Sequence, residues 1–293
     1  MKRTFLPIVS LGLLLLVPCG LLGALEIELT GGLNSLSFNP YKETAYGEGA
    51  DSMQFEGYSY ISGDLLLKSS IYDKIGFKIH ASRDNILQNS LSCELTLNAD
   101  YLYIEFGAFA GMKDSLEIPD MGITGGIDFF YPGIAFLSFY GSSSLGSRYE
   151  FMSDNYRETL EVKLGFWLPN VIPSLSASIK SYSYAKESED SAIRNELIRL
   201  QLGADIFAKN FPFTVRVDAG YEIFTRFYES SGITDEFSAI FAGFEFNWQA
   251  LKPLRVIAGL EMPVYFIEKE PLKVTDSFWL LYKFYGGVAF TFF

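Results

Sequence analysis

After its first two dozen residues, this chain of 293 has no apolar run of the roughly 20 residues that a membrane-spanning helix needs. It has two cysteines and a single histidine. One histidine and no clustered cysteine excludes the usual zinc and iron ligand sets. Glycine pairs such as Gly31-Gly32 and Gly286-Gly287 lie in extended stretches, not between a strand and a helix, so they make no phosphate-binding loop. Basic charge is also scarce, with 23 Lys and Arg against 35 Asp and Glu. Such a surface disfavours nucleic acid, whose phosphates require cations. No cofactor is implied.

Aromatic residues, by contrast, are abundant: 27 Phe and 18 Tyr, 16% of the chain together with Trp. A heavy aromatic load without membrane helices is what alternating, lipid-facing strands produce. A secreted β-sandwich is the competing class. Met1 to Ala24 reads as a secretory signal peptide, with Lys2 and Arg3, then an apolar core from Phe5 to Val17, then Gly23-Ala24. Cys19 raises a lipoprotein alternative, which Pro18 before it disfavours. Without Lys2 and Arg3, the 23 basic residues become 21 and the net charge is −14. The mature chain keeps only Cys93, between Leu91 and Leu95, which reads as a small lipid-facing residue that can form no internal disulfide.

From Leu25 onward the chain alternates apolar and polar residues at period two, the signature of a half-buried strand. The pattern predicts strands over 25–38, 53–69, 75–82, 90–97, 101–111, 121–130 and 134–140. It continues over 156–168, 174–186, 195–208, 213–228, 236–249, 254–266 and 277–293. That makes about fourteen, with twelve as the alternative count. Connections alternate between long polar loops, such as Asn39 to Ser52 and Gly141 to Asn155, and short turns, such as Tyr72-Asp73-Lys74 and Asn98-Ala99-Asp100. Pro169 to Pro173 is expected as another short turn and Arg83 to Asn89 as a longer connection. The expectation is all-β: one transmembrane antiparallel up-and-down barrel over 25–293, with no plug domain and both termini periplasmic. Aromatics cluster at strand ends. Phe129, Phe130, Tyr131, Phe166, Trp167, Phe211, Phe213 and Trp248 stand beside short turns, and Phe38, Tyr140, Tyr184, Phe227, Tyr228, Phe237, Phe266 and Phe278 beside loops. They are expected as two interfacial girdles.

The last stretch, Ser277 to Phe293, puts Phe284, Gly286, Val288, Phe290 and Phe292 on one face, and Lys283, Tyr285, Gly287, Ala289 and Thr291 on the other. Tyr285-x-Gly287-x-x-Phe290-x-Phe292, closed by Phe293, resembles the C-terminal sorting signal of bacterial outer-membrane β-barrels. Gly31 to Pro40 resembles small spirochaetal barrels. The resemblance implies residence in the outer membrane, contact with its lipid, and insertion by the barrel-assembly machinery through this strand.

The face opposite the lipid carries the charges. Twelve acidic positions, among them Glu222, Glu245 and Glu261, share it with eight basic ones, among them Lys180, Arg199, Arg216 and Arg255. Charges must be wet or paired, which leaves two readings. One is a mildly cation-preferring porin-like channel for ions or small hydrophilic solutes, with those seven residues setting selectivity. The other is a structural or surface-exposed, adhesin-like barrel with a filled lumen. External loops are a place for a further ligand, and the oligomeric state stays open. An enzyme is not expected: His80 and Ser82 share a face but no flanking motif accompanies them. The loop alternation predicts that labels near Gly47, Ser144 and Ser188 react on intact cells while labels at Asp73, Asn98 and Asn210 do not. Reaction of both sets would refute the topology.

Overall fold

The structure, a computed structural model, describes residues 25–34, 60–72, 74–84, 87–112, 120–145, 156–185, 192–207, 211–228, 233–267 and 283–292. The leader at 1–24, the Asn39 to Ser52 loop, residues 277–282 and Phe293 lie outside them, as do the side chains of Tyr184, Tyr228, Phe237 and Phe266.

Fourteen strands form the described chain. They are β1 (Leu25–Asn34), β2 (Tyr60–Tyr72), β3 (Ile75–Asp84), β4 (Gln88–Ala99), β5 (Leu102–Met112), β6 (Met121–Tyr131) and β7 (Ala135–Ser144). Then come β8 (Tyr156–Phe166), β9 (Val171–Ala185), β10 (Ala192–Phe207), β11 (Phe213–Tyr228), β12 (Ile233–Leu251), β13 (Leu254–Ile267) and β14 (Lys283–Phe292). Each pairs antiparallel with its neighbours in sequence, and β14 returns to β1, closing the barrel. The closing ladder runs from Leu25 opposite Phe292 to Asn34 opposite Lys283.

Alternation decides which way each residue points. Leu95, Phe106 and Leu202 are about two-thirds exposed, while Glu94 and Glu105 beside them on the chain are buried. In water such a wall would forfeit roughly 25 cal/mol for every Å² of apolar surface left exposed. Against acyl chains that cost disappears. Phe129, Tyr131, Phe166, Phe211, Phe213 and Trp248 all point outward beside the short turns, as a girdle requires.

Three features depart from the sequence expectation. The β3–β4 connection is short, because polar pairs Ser82–Ser90 and Arg83–Asn89 extend the ladder to Asp84 opposite Gln88. Pro173 sits inside β9 opposite Ala204, beyond the last β8–β9 pair at Gly165–Ser174, where no partner needs its missing N–H. The turn itself falls at 168–171, with Asn170 at φ 68°. Third, Phe130 and Trp167 leave the girdle: both face inward and stack at 6.2 Å, with Phe136 5.5 Å from Trp167. Tyr140 also points inward, its hydroxyl bonded to Thr124.

Deleting Phe290 to Phe293 removes the pairs that join β14 to Ile27 and Leu25. The truncated chain is expected in periplasmic aggregates or degraded, without the heat-resistant folded band of a closed barrel. Normal folded levels would show that closure does not depend on these residues.

Candidate functional site: the barrel lumen

The inner face is built from short-range cross-strand pairs. Arg199 on β10 stands opposite Glu222 on β11 and bonds it at 2.6 Å. The same guanidinium reaches Glu261 on β13 at 2.8 Å, skipping β12. Only the concave side of a curved sheet brings those strands within reach, so this contact identifies the lumen.

The arrangement recurs. Lys78 sits 2.8 Å from both Glu94 and Glu105. Arg216 lies between Asp205 at 4.0 Å and Asp218 at 3.8 Å. Arg255 lies between Glu26 at 3.5 Å and Glu28 at 2.7 Å. Each cation is clamped by two carboxylates, and each clamp is left with one net negative charge when both acids are ionised. Two clamps are well buried and two are open. Lys78 and Glu94 have side chains 12% and 0% exposed, whereas Arg255 and Glu26 are each at 37%. Burial makes the first kind costly to break, about 3–5 kcal/mol for a lost partner. The second kind stands in water and is worth about 1 kcal/mol or less.

The seven residues singled out from sequence fall into separate groups. Arg199, Glu222 and Glu261 form one clamp, while Arg216 and Arg255 centre two others. Glu245 instead accepts from the Tyr285 hydroxyl at 2.7 Å and from Asn247 at 2.6 Å. Lys180 lies on β9 opposite Leu197. No ring at a single height results. Tyr285, Gly287, Phe290 and Phe292 of the closing strand sit in the β1 ladder, Tyr285 inward and both phenylalanines outward.

One pair had no signal in the sequence. Arg157 on β8 meets Asp120, just before β6, at 3.0 Å, and both side chains are almost fully buried. Its guanidinium lies between the rings of Phe109 and Tyr182, at 5.6 and 5.4 Å. It also donates to the Asn89 carbonyl on β4 at 3.3 Å, so one side chain spans from β8 to β4. Both residues stand at loop margins, where periodicity says nothing. The one pointer is Gly111, whose missing Cβ makes room for the Asp120 carboxylate.

The lumen is therefore uneven. Over β8–β12 it is filled: Tyr182, Phe224, Phe241 and Asn195 are at most 1% exposed, and Arg199 stacks 4.3 Å above Phe241. Along the remaining wall lie cavities of about 560 Å³ on β2–β7, 340 Å³ around β12–β14 and β1–β2, and 270 Å³ between them. His80 is 3.1 Å from Asp64, while the Ser82 hydroxyl pairs with Ser90 at 2.7 Å instead of with His80. Among the described residues no three potential ligands converge as a metal site.

Neither a protein-family profile nor a curated protein sequence matches the chain. Solved structures do. An outer membrane channel from Pseudomonas putida F1 aligns over 94% of this chain and 99% of its own, with a TM-score of 0.51 at 8% identity. A loop-deletion variant of OmpT, an outer membrane protein of Vibrio cholerae, covers 93% and 100% with a TM-score of 0.46 at 10% identity. A porin covers 92% and 100% with a TM-score of 0.42 at 9% identity. At such identities the likeness concerns architecture alone. The closed fourteen-strand antiparallel barrel is the fold of the bacterial outer-membrane β-barrels.

Proposed function

We propose that the chain is an outer-membrane channel for passive diffusion of ions and small hydrophilic solutes, with a mild preference for cations. The observation that carries this reading is the clamp pattern: four cations are each held by two carboxylates, and two of these clamps, at Lys78 and Arg255, line open cavities. A filled structural barrel has no use for surplus charge on an open wall. One net charge about 7 Å from a passing ion in water is worth about 0.6 kcal/mol, close to thermal energy. Several such charges bias passage without enforcing it, hence a preference and not strict selection. Export by the 1–24 leader, periplasmic termini, assembly through Tyr285, Gly287, Phe290, Phe292 and Phe293, and an external ligand at the loops belong to the same proposal. The second reading, a structural or surface-exposed barrel, draws on the packing around Arg157 and Phe241.

The double clamps supply a clean test. Replacing Glu26 and Asp205 by their amides leaves Arg255 and Arg216, the two open clamps, each with one carboxylate. The double variant is expected to insert and conduct, to lose much of its cation preference in the reversal potential, and to keep a folded-band melting temperature close to that of the parent. Removing both Glu222 and Glu261 instead strands Arg199 against Phe241 and should lower that temperature strongly. A parent protein that folds but never conducts in planar bilayers would leave the structural reading in place of the channel.

A further inference from the structure

We propose that the 560 Å³ cavity on the β2–β7 wall is a binding subsite for zwitterionic solutes of the amino-acid or short-peptide class, held between Lys68 and Asp128. The inference rests on reading the lumen as a solute path. Four ionisable side chains capable of full charge line this cavity: Lys68, Lys78, Glu105 and Asp128. Two of them satisfy each other, since Lys78 and Glu105 are 2.8 Å apart. The other two do not. Among the described residues neither Lys68 nor Asp128 has an ion pair or a side-chain hydrogen bond.

The isolation of Lys68 is not forced by a lack of acids. Glu26 stands directly opposite it across the β1–β2 ladder, yet the Glu26 carboxylate turns to Arg255 at 3.5 Å. On its other side Lys68 faces Lys78, a like charge already taken by Glu94 and Glu105. Lys78, Arg216 and Arg255 each hold two carboxylates, whereas the exposed Lys68 holds none among the described residues. Among them Asp128 likewise has no cation beside it.

Besides these charges the cavity is lined by Tyr103, Phe130 and Tyr140. Tyr103 stands opposite Asp128 and turns its hydroxyl to Glu105 at 3.3 Å, while Tyr140 turns its own to Thr124 at 2.8 Å. The phenols are thus engaged, and the rings supply apolar surface. A ligand that fits brings a carboxylate for the Lys68 ammonium, an ammonium for the Asp128 carboxylate, and an apolar flank for the rings. A simple cation meets Asp128 but is repelled by Lys68, and a neutral sugar leaves both charges unmatched. The volume lies within the range of small-molecule sites, about 300–1,000 Å³.

Calorimetry on the folded barrel in detergent tests this without requiring conductance. The probes are the dipeptide Ala-Phe, its N-acetyl form, its C-terminal amide, and a neutral disaccharide. The free dipeptide is expected to bind, and each end-blocked form to bind about tenfold more weakly, as loss of one charged hydrogen bond implies. Lys68→Gln should weaken the free dipeptide about tenfold while leaving the amide unchanged. Asp128→Asn should do the same while leaving the N-acetyl form unchanged. Neither substitution removes a partner from another group, so both variants should melt with the parent. Indifference to both end-blocks and both substitutions, or no binding of the dipeptide at all, would overturn the proposal. Tighter binding of the disaccharide would overturn the ligand class. The expected pattern in a barrel that carries no bilayer current would uphold the subsite while removing the channel.

Discussion

Every backbone N–H and C=O of a strand in lipid must find a partner in the protein, because hydrocarbon offers none. The β1–β14 ladder meets that demand at the seam, where an open sheet would present two bare edges. Much else follows from it. A closed sheet has an inside and an outside, and alternation along each strand then sends apolar side chains to lipid and charged ones inward. Pro173 and Pro263 are admitted only where the ladder can spare a donor. Pro173 lies past the end of one pairing, and Pro263 beside the bulge at Val264, where β12 pairs Ile240 with Tyr265 and Phe241 with Pro263.

Inside, desolvation sets the terms. Charges drawn off bulk water need partners, and a cation between two acids has them without requiring either acid to be neutral. Arg199 shows the buried form, stacked on Phe241 and gripping carboxylates from two strands. Arg255 shows the hydrated form, with the same partners in kind but half-open to the lumen. The two forms share one geometry and differ in what they do. The first fixes strands to one another, and the second leaves charge open to the lumen.

The strands were legible because one face had to be apolar, so Leu25, Ile27 and Leu29 or Phe284, Phe290 and Phe292 announce their direction by spacing alone. The inner position of Arg199, Glu222 and Glu261 could be read the same way. Which of them would meet could not, since Arg199 and Glu261 are separated by 62 residues and joined only by curvature. Phe130 and Trp167 misled for a related reason. Composition near a turn suggests a girdle, but parity within the strand sends each second aromatic into the lumen, where these stack with Phe136. Arg157 and Asp120 fell outside any periodic pattern, so their contact past β7 is visible only in three dimensions.

The unevenness of the lumen separates two properties that a symmetric barrel would tie together. Strands β8–β12 carry the packed aromatics and thereby limit how wide any passage can be. The opposite arc, from β13 through β7, holds the cavities and with them Lys68, Asp128 and the open Arg255 clamp. In the channel proposed above, a substitution at Phe224 or Tyr182 would change width with little change in chemistry, and one at Lys68 or Glu26 would do the reverse. On that proposal, bore and most of taste are written on different strands, so each could drift through mutation while the other is largely held constant.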